Sequence, residues 1–469
     1  MTQVSHRSPA VSSVADSNVI NLCWQRLCAR YKSMLAGSVL SGLVLGGIGG
    51  GAIAQPVPTP QPAPTLASLT EQSSQTPTAQ TTPYFDSSGT FLAGRSAPVP
   101  ITQRQVRSIW LDRETIVSAG SQEGLAKVFD RFKAAGINTV FVETVNAGYP
   151  IYDSDVAPEQ NPLVQGWDPL QSAVNLGKTY NMEVHAWVWL FAAGNQAHNR
   201  LVGQPTSYPG PILNANPDWA GFDNKGNLII PGQTKPFLDP ANPEVRQYLL
   251  DLLSEIAGRY DIDGIQFDYV RYPFQDPSAN RLFGYGNSAR QQFHQLTGVD
   301  PITLTPKNGG DPRKAHLWGQ WVSFRTQQIS TFVAEASRRL RQQKPHLTIS
   351  AAVFADPTQK RRHGIQQDWE DWADQGLVDW IVLMSYANNT QRLDELIRPW
   401  IVESSYPHTQ VIPGIRLLNL STTAAAQLRH IQSLPTNGYA LFSADNLNNE
   451  VQAMLASLYE GNSQIALSD

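Results

Sequence analysis

Three acidic residues stand where apolar runs end. In DGIQFDYVRYP (263–273), Asp268 follows Gly-Ile-Gln-Phe directly, where a hydrophobic strand should still be packing. A carboxylate is costly to bury unless it is paired or hydrogen-bonded, so the position asks for a purpose. Glu143 closes the run VFVE and Asp356 closes AAVFAD. Two carboxyl groups facing one another are what glycoside cleavage requires, one as proton donor and one as nucleophile or base. Asp268 is the expected member of such a pair, and Glu143 and Asp356 are the candidate partners. Asp356 precedes Pro357, so a turn-forming role competes there, whereas Glu143 has no capping role to explain it.

The residues around these acids suit a sugar site. In VHAWVWL, strand alternation puts His185, Trp187 and Trp189 on one face and Val184, Ala186, Val188 and Leu190 on the other. The aliphatic face fits a covering helix layer, which leaves the imidazole and the indoles for a ligand wall or for an inner core. Gln266 and Asp268 share a face in the same way, opposite Ile265 and Phe267. Arg271 is placed to hold Asp268 ionised or to bind substrate hydroxyls or carboxylates. Tyr386, Arg416 and Asp445 close three later apolar runs and complete the expected binding set. Asp261 and Asp263, just before the run, read as turn formers.

These positions belong to a regular series. From about Gln105 to about Glu460, apolar runs alternate with helical patterns: VRSIWLD, INTVFVET, MEVHAWVWL, DGIQFDYV, LTISAAVFAD, WIVLMSYA, QVIPGIRL and GYALFSADNL are each followed by an amphipathic segment. Eight strand-then-helix units are the count and order of a (β/α)8 barrel, an α/β fold whose active groups sit at the C-terminal ends of the strands. The polar residues above all occupy that end. Long inserts follow the third and fourth strands. A doubly wound sheet is the alternative, but no GxGxxG-like turn follows the first strand.

Bulk properties narrow the function. The chain has 469 residues and a net charge of -4, far from the basic balance of nucleic-acid binding. Its two cysteines, Cys23 and Cys28, leave the rest of the chain without a thiolate metal site, and the nine histidines show no HExxH spacing. The residues imply no metal and no cofactor. Twelve tryptophans and fifteen tyrosines offer the flat amphipathic surface that binds sugar rings, although a large aromatic core would account for them as well. Residues 1–54 read as a signal peptide or membrane anchor: Arg30 and Lys32 precede the uncharged run 34–54, which ends in Ala-Ile-Ala. Either reading exports the rest of the chain, to the periplasm, the cell envelope or the medium, and the anchor would be a membrane tether. Residues 55–104, rich in Pro, Thr, Gln and Ser, read as a disordered spacer, and 105–460 as the barrel.

The stretches INTVFVET, GYPIYDS, VHAW, FLDPANPEVRQYLLDLLSEIAGRYDIDGIQFDYVRYP and LMSYA together resemble the glycosyl hydrolase-like 10 family. The resemblance runs over roughly residues 105–450 and is most specific over 237–273. It implies an exported barrel with a glycosidase-type site, Asp268 as its firmest member, and for some members action on peptidoglycan glycan strands. A weaker similarity joins the chain to family 18 chitinases, whose fourth strand reads like DGIDIDWEYP and whose sixth ends like MSYD. Their catalytic glutamate falls on Val270 here and the sixth-strand aspartate on Ala387, so their substrate-assisted chemistry is absent.

The expectation is an exported glycosidase that cuts a cell-envelope polysaccharide, peptidoglycan glycan strands, with Asp268, Glu143 and Asp356 as the catalytic candidates. His185, Trp187, Trp189, Arg271, Tyr386, Arg416 and Asp445 would bind the sugar. A non-catalytic glycan-binding envelope protein is the rival, and a hydrolase of external glucans is a third reading.

Overall fold

The structure, a computed structural model, describes residues 105–417 and 421–465. The chain divides into two compact units, Met1–Pro98 and Val99–Asp469, and the described residues all lie in the second. The expected leader (1–54) and the expected spacer (55–104) both fall outside the described residues. Among the described residues no helix is long and apolar enough to cross a membrane.

Eight strands carry the fold: β1 (Val106–Leu111), β2 (Thr139–Asn146), β3 (Glu183–Trp189), β4 (Gly264–Asp268), β5 (Thr348–Phe354), β6 (Trp380–Met384), β7 (Gln410–Arg416) and β8 (Gly438–Phe442). Each pairs in parallel with the next, and β8 pairs with β1, so the sheet closes into a barrel. Closure buries both faces of every strand, which is why these segments read as nearly continuous apolar runs.

Helices capped at their entry points cover the outside. Ser121 caps α1 (Gln122–Ala134), Asp168 caps α2 (Pro169–Tyr180), Asn242 caps α3 (Pro243–Arg259) and Asp311 caps α4 (Pro312–Gln343), each accepting a hydrogen bond from a first-turn amide. In the last three, proline follows the cap at a position where its missing N–H costs nothing. Helix α3 turns Val245, Leu249, Leu252, Leu253 and Ile256 inward against the barrel wall. The outer faces of the strands meet this layer with Val140, Val142, Val184, Val188, Ile265 and Phe267, all buried.

The inner face is identified by contacts that cross the barrel. Trp110 on β1 donates through Nε1 to Gln266 Oε1 on β4 at 2.6 Å. His185 on β3 stacks on Trp380 of β6, ring centres 4.9 Å apart. Residues in register on neighbouring parallel strands share a face, so the inner set also includes Phe141, Glu143, Trp187, Trp189 and Asp268. Gly264 faces His185 in register; a β-carbon there would lie 2.3 Å from the imidazole Nδ1. The glycine is the space into which the histidine packs.

Two long inserts follow β3 and β4, as expected. The first carries short helices Gln196–Leu201 and Pro211–Ala215 and an antiparallel pairing of Ala220–Gly221 with Phe237–Leu238. The second carries the helix Asn287–Thr297. They have a core of their own, in which Leu282, Tyr285, Phe293 and Leu304 pack on Trp321 and Phe324 of α4. The Asp239 carboxylate joins them by accepting the Ala289 amide at 3.1 Å.

Candidate active site

Asp268 is the last residue of β4, on the inner face at the mouth, and is 8% exposed. Its carboxylate accepts the Trp187 indole N–H at 3.0 Å and the Tyr269 amide at 2.6 Å. The second bond depends on backbone geometry, because Tyr269 sits at φ 49°, a left-handed conformation uncommon for an aromatic residue. Strain of this kind persists where surrounding contacts over-determine it, and the Tyr269 ring packs on Trp189 with centres 4.3 Å apart. Burial raises the Asp268 carboxyl above the ordinary aspartate range. The two hydrogen bonds and the charges of Arg271 and Lys235 pull the other way.

Glu143 is enclosed more completely. The register of β2 against β3 shifts between Glu143 and Val145, an irregularity of the kind that re-aims a side chain near an active site. β2 runs on past the expected end to Asn146, which turns back and donates through Nδ2 to Glu143 Oε1. The other oxygen accepts the Arg113 amide at 2.7 Å. Burial holds the Glu143 carboxyl up at about 8, opposed chiefly by the Arg113 charge. Trp187 stands between the two acids. It is in register with Glu143 on one side, and its indole bonds Asp268 on the other.

Asp356 is treated differently. It lies just beyond β5, buried, with Lys360 Nζ 2.6 Å from its Oδ1 in an i,i+4 ion pair. Its backbone carbonyl accepts Arg361 Nε at 2.6 Å. Its bonds tie it to its own following turn, and no described hydrogen bond joins it to Asp268 or Glu143.

The expected binding residues divide by depth. Trp189, Tyr386 and Arg416 stand at the mouth with Asp268. Among the described residues the Trp189 Nε1 is buried without a hydrogen-bond partner, and so is Arg416 Nε. The Arg416 guanidinium lies 5.6 Å from the Tyr386 ring centre. Burial, and then the nearby Asp268 charge, push the Tyr386 hydroxyl well above its ordinary range. Arg271 is buried beneath the mouth among aromatic rings, 4.7 Å from the centre of Phe274 and 5.0 Å from that of Tyr269. It donates to the Tyr272 carbonyl at 2.9 Å and acts on Asp268 through its charge. Asp445 lies exposed on the rim, and its amide donates to the Asp112 carboxylate at 3.1 Å. His185 does not reach the mouth. It is fully buried near the N-terminal end of its strand, stacked on Trp380 and met edge-on by Phe141, so its role is in the barrel floor.

Several site residues carried no signal in the sequence. Arg113 opens the short helix Arg113–Ala119, His198 lies in the short helix Gln196–Leu201 and Lys235 in the same insert, none of them within a periodic pattern. Asn146 and Tyr269 lay beside recognised acids, but their roles depend on a bulge and a left-handed turn. Val270 is fully buried and Ala387 nearly so, and neither offers an acid in place of the chitinase residues. Among the described residues no group of three or more His, Cys, Asp or Glu is placed to hold a metal ion.

A closed parallel barrel with buried carboxyl groups, indoles and arginines gathered at the C-terminal ends of its strands defines a glycosidase of the (β/α)8 class. The chain belongs to the glycosyl hydrolase-like 10 family, whose model it matches over residues 105–428. It is 24% identical over 340 residues to glycosyl hydrolase DigH of Escherichia coli O6:H1, covering 66% of this chain and 69% of DigH. It is 21% identical over 331 residues to glycosyl hydrolase YngK of Bacillus subtilis, covering 64% of this chain and 58% of YngK. The fold is shared with the PgaB (BpsB) glycoside hydrolase domain from Bordetella bronchiseptica, at a TM-score of 0.54 and 14% identity over 75% of this chain and 98% of that domain.

Proposed function

We propose that this glycosidase cuts polysaccharide of the cell envelope, the glycan strands of peptidoglycan, by paired-carboxylate chemistry in which Glu143 donates the proton and Asp268 is nucleophile or base. The observation that carries the assignment is the unequal treatment of the two acids on either side of Trp187. Asp268 is raised by burial as well, but an indole N–H, an amide N–H and two positive charges oppose that rise. Glu143 is enclosed until its carboxyl keeps a proton to about pH 8. Acids whose environments push their proton affinities apart divide naturally into donor and nucleophile. In the reaction Glu143 protonates the glycosidic oxygen as the C–O bond breaks. Asp268 meets the anomeric carbon or deprotonates the attacking water, and one water is consumed per bond cut. Trp189, Tyr386 and Arg416 would form the walls, and the unpartnered N–H groups of Trp189 and Arg416 would meet sugar hydroxyls. Export through the segment 34–54 is part of the same proposal, since the substrate lies outside the cytoplasm.

The test is a digest of purified peptidoglycan glycan strands, with starch and cellulose fragments alongside, read as new reducing ends. Release from the envelope strands is expected, and Asp268→Asn should reduce it on the order of 10³-fold while the protein still sediments with the polymer. Unchanged turnover in Asp268→Asn would remove Asp268 from the chemistry. Release from starch or cellulose alone would overturn the substrate, and sedimentation without release by the unaltered protein would leave a glycan-binding barrel.

A further inference from the structure

We infer that His198, carried on the insert after β3, is a positioning residue for the proton donor, because it holds the side chain of Arg113, the residue whose backbone amide binds Glu143. The inference rests on the reading of Glu143 as donor. Three contacts form the chain of action. The Arg113 amide donates to Glu143 Oε2 at 2.7 Å, which fixes the acid against the first residue after Asp112. The Arg113 side chain is buried, and its Nη1 lies 2.9 Å from His198 Nδ1. His198 is itself fully buried, its ring centre 5.0 Å from that of Tyr149.

The chemistry of this contact leaves one protonation state. A guanidinium only donates, so His198 Nδ1 must accept and the ring proton sits on Nε2. Among the described residues that Nε2 is buried without a hydrogen-bond partner. An imidazole buried with one N–H unsatisfied is a poor choice for packing alone, since an apolar side chain would fill the space without that cost. What the ring supplies is an acceptor for Arg113. The remaining partner of the guanidinium is the exposed Glu114, bonded through Nη2. Without His198 the cation would be drawn outward to Glu114 and to water, and Glu143 would lose the charge that most opposes its burial.

The charged and titratable groups facing Glu143 are Arg113 and Glu114 from the segment after β1, with Tyr269 from β4 acting across the mouth. Those facing His198 are Arg113 and Tyr149, and Tyr208 and Glu159 lie beyond Tyr149. Burial and the Arg113 charge push the His198 imidazole down to about 3, so it stays neutral throughout the working range and any shift near pH 8 belongs to Glu143.

The experiment tracks the Glu143 carboxyl by carbon NMR in the full chain without glycan, assigned by its loss in Glu143→Gln, and measures the pH dependence of kcat on glycan strands in parallel. His198→Leu should raise the Glu143 midpoint by about one pH unit and lower kcat roughly tenfold with KM within about twofold. His198→Asn, which keeps an acceptor near the place of Nδ1, should restore both. Arg113→Met should raise the midpoint at least as far, and adding His198→Leu to it should change the midpoint no further. An unmoved midpoint in His198→Leu, or full additivity with Arg113→Met, would overturn the inference. If His198→Leu does not fold, a displaced midpoint in His198→Asn would overturn it equally. A shifted midpoint with an unaltered pH–rate profile would support the linkage and overturn the donor role of Glu143, so the two readings fail separately.

Discussion

In the last half of β2 a carboxyl group is closed in by an amide, an asparagine and an indole; just beyond β5 another is clasped by a lysine from the next helical turn. Both follow apolar runs that end at the mouth, and Asp268 lies between them around the barrel. The difference is in what the neighbouring loop supplies. The segment after β1 brings Glu143 a backbone N–H and a cation that another residue restrains, so solvent is excluded without a direct ion pair. The helix after β5 brings Asp356 the Lys360 ammonium at bonding distance, partly out in solvent. A carboxylate clasped by its own helical turn anchors that turn, whereas Glu143 is held for the mouth. The proposal that Glu143 is the partner of Asp268 rests on this contrast, which can be attacked from either side.

Of the two acids compared, Glu143 should show the larger effect. Glu143→Gln keeps the shape and one of the two accepted hydrogen bonds but has no acidic proton to donate, and should lower kcat on glycan strands by about 10²- to 10³-fold, in the range for loss of a general acid. Its pH–rate profile should also lack the limb expected near pH 8 for the unaltered protein. A profile in Glu143→Gln that still falls near pH 8 would place the donor elsewhere.

Stability supplies a second, smaller measure of the same residue. The folded chain holds the Glu143 proton from its ordinary 4.5 up to about 8, so between those values the native state binds a proton that the unfolded chain has released. Stability due to this group is therefore full below pH 4.5 and falls as pH rises towards 8, by up to about 1.4 kcal/mol per unit. Glu143→Gln should gain on the unaltered protein steadily between those two values in urea unfolding. No such gain would mean that the carboxyl is ionised in the folded state and the contrast with Asp356 is false.

Much of this arrangement was legible in the sequence. The apolar runs returned the eight strands because a closed parallel sheet buries both faces, and the two inserts showed as breaks in that rhythm. Asp268 stood out because a carboxylate interrupted an apolar strand. Alternation put His185, Trp187 and Trp189 correctly on one face, but a period of two reports the face and not the depth. His185, four residues before Trp189, is in the floor, and Gly264, which makes room for it, looks in sequence like a turn glycine. Pro357 after Asp356 hinted at a turn there, but the atoms that enclose Glu143 come from Arg113, Asn146 and Trp187, which no local pattern brings to it. A further clue was Lys360 four residues after Asp356, a spacing that pairs charges on a helix.

That clue gives the smallest expected effect. Asp356→Asn keeps the volume and breaks the pair with Lys360, whose ammonium can return to water because the lysine side chain is 37% exposed. The cost in stability should be about 1 kcal/mol or less, as for a pair with one solvated partner, and kcat on glycan strands should stay within about threefold. The measurement is the same reducing-end assay beside urea unfolding. If Asp356→Asn instead lost activity on the scale expected for Glu143→Gln while remaining as stable as predicted, the lysine would be tuning a working acid rather than anchoring an idle one. The catalytic pair would then run from β4 to β5, and the enclosure of Glu143 would be structural.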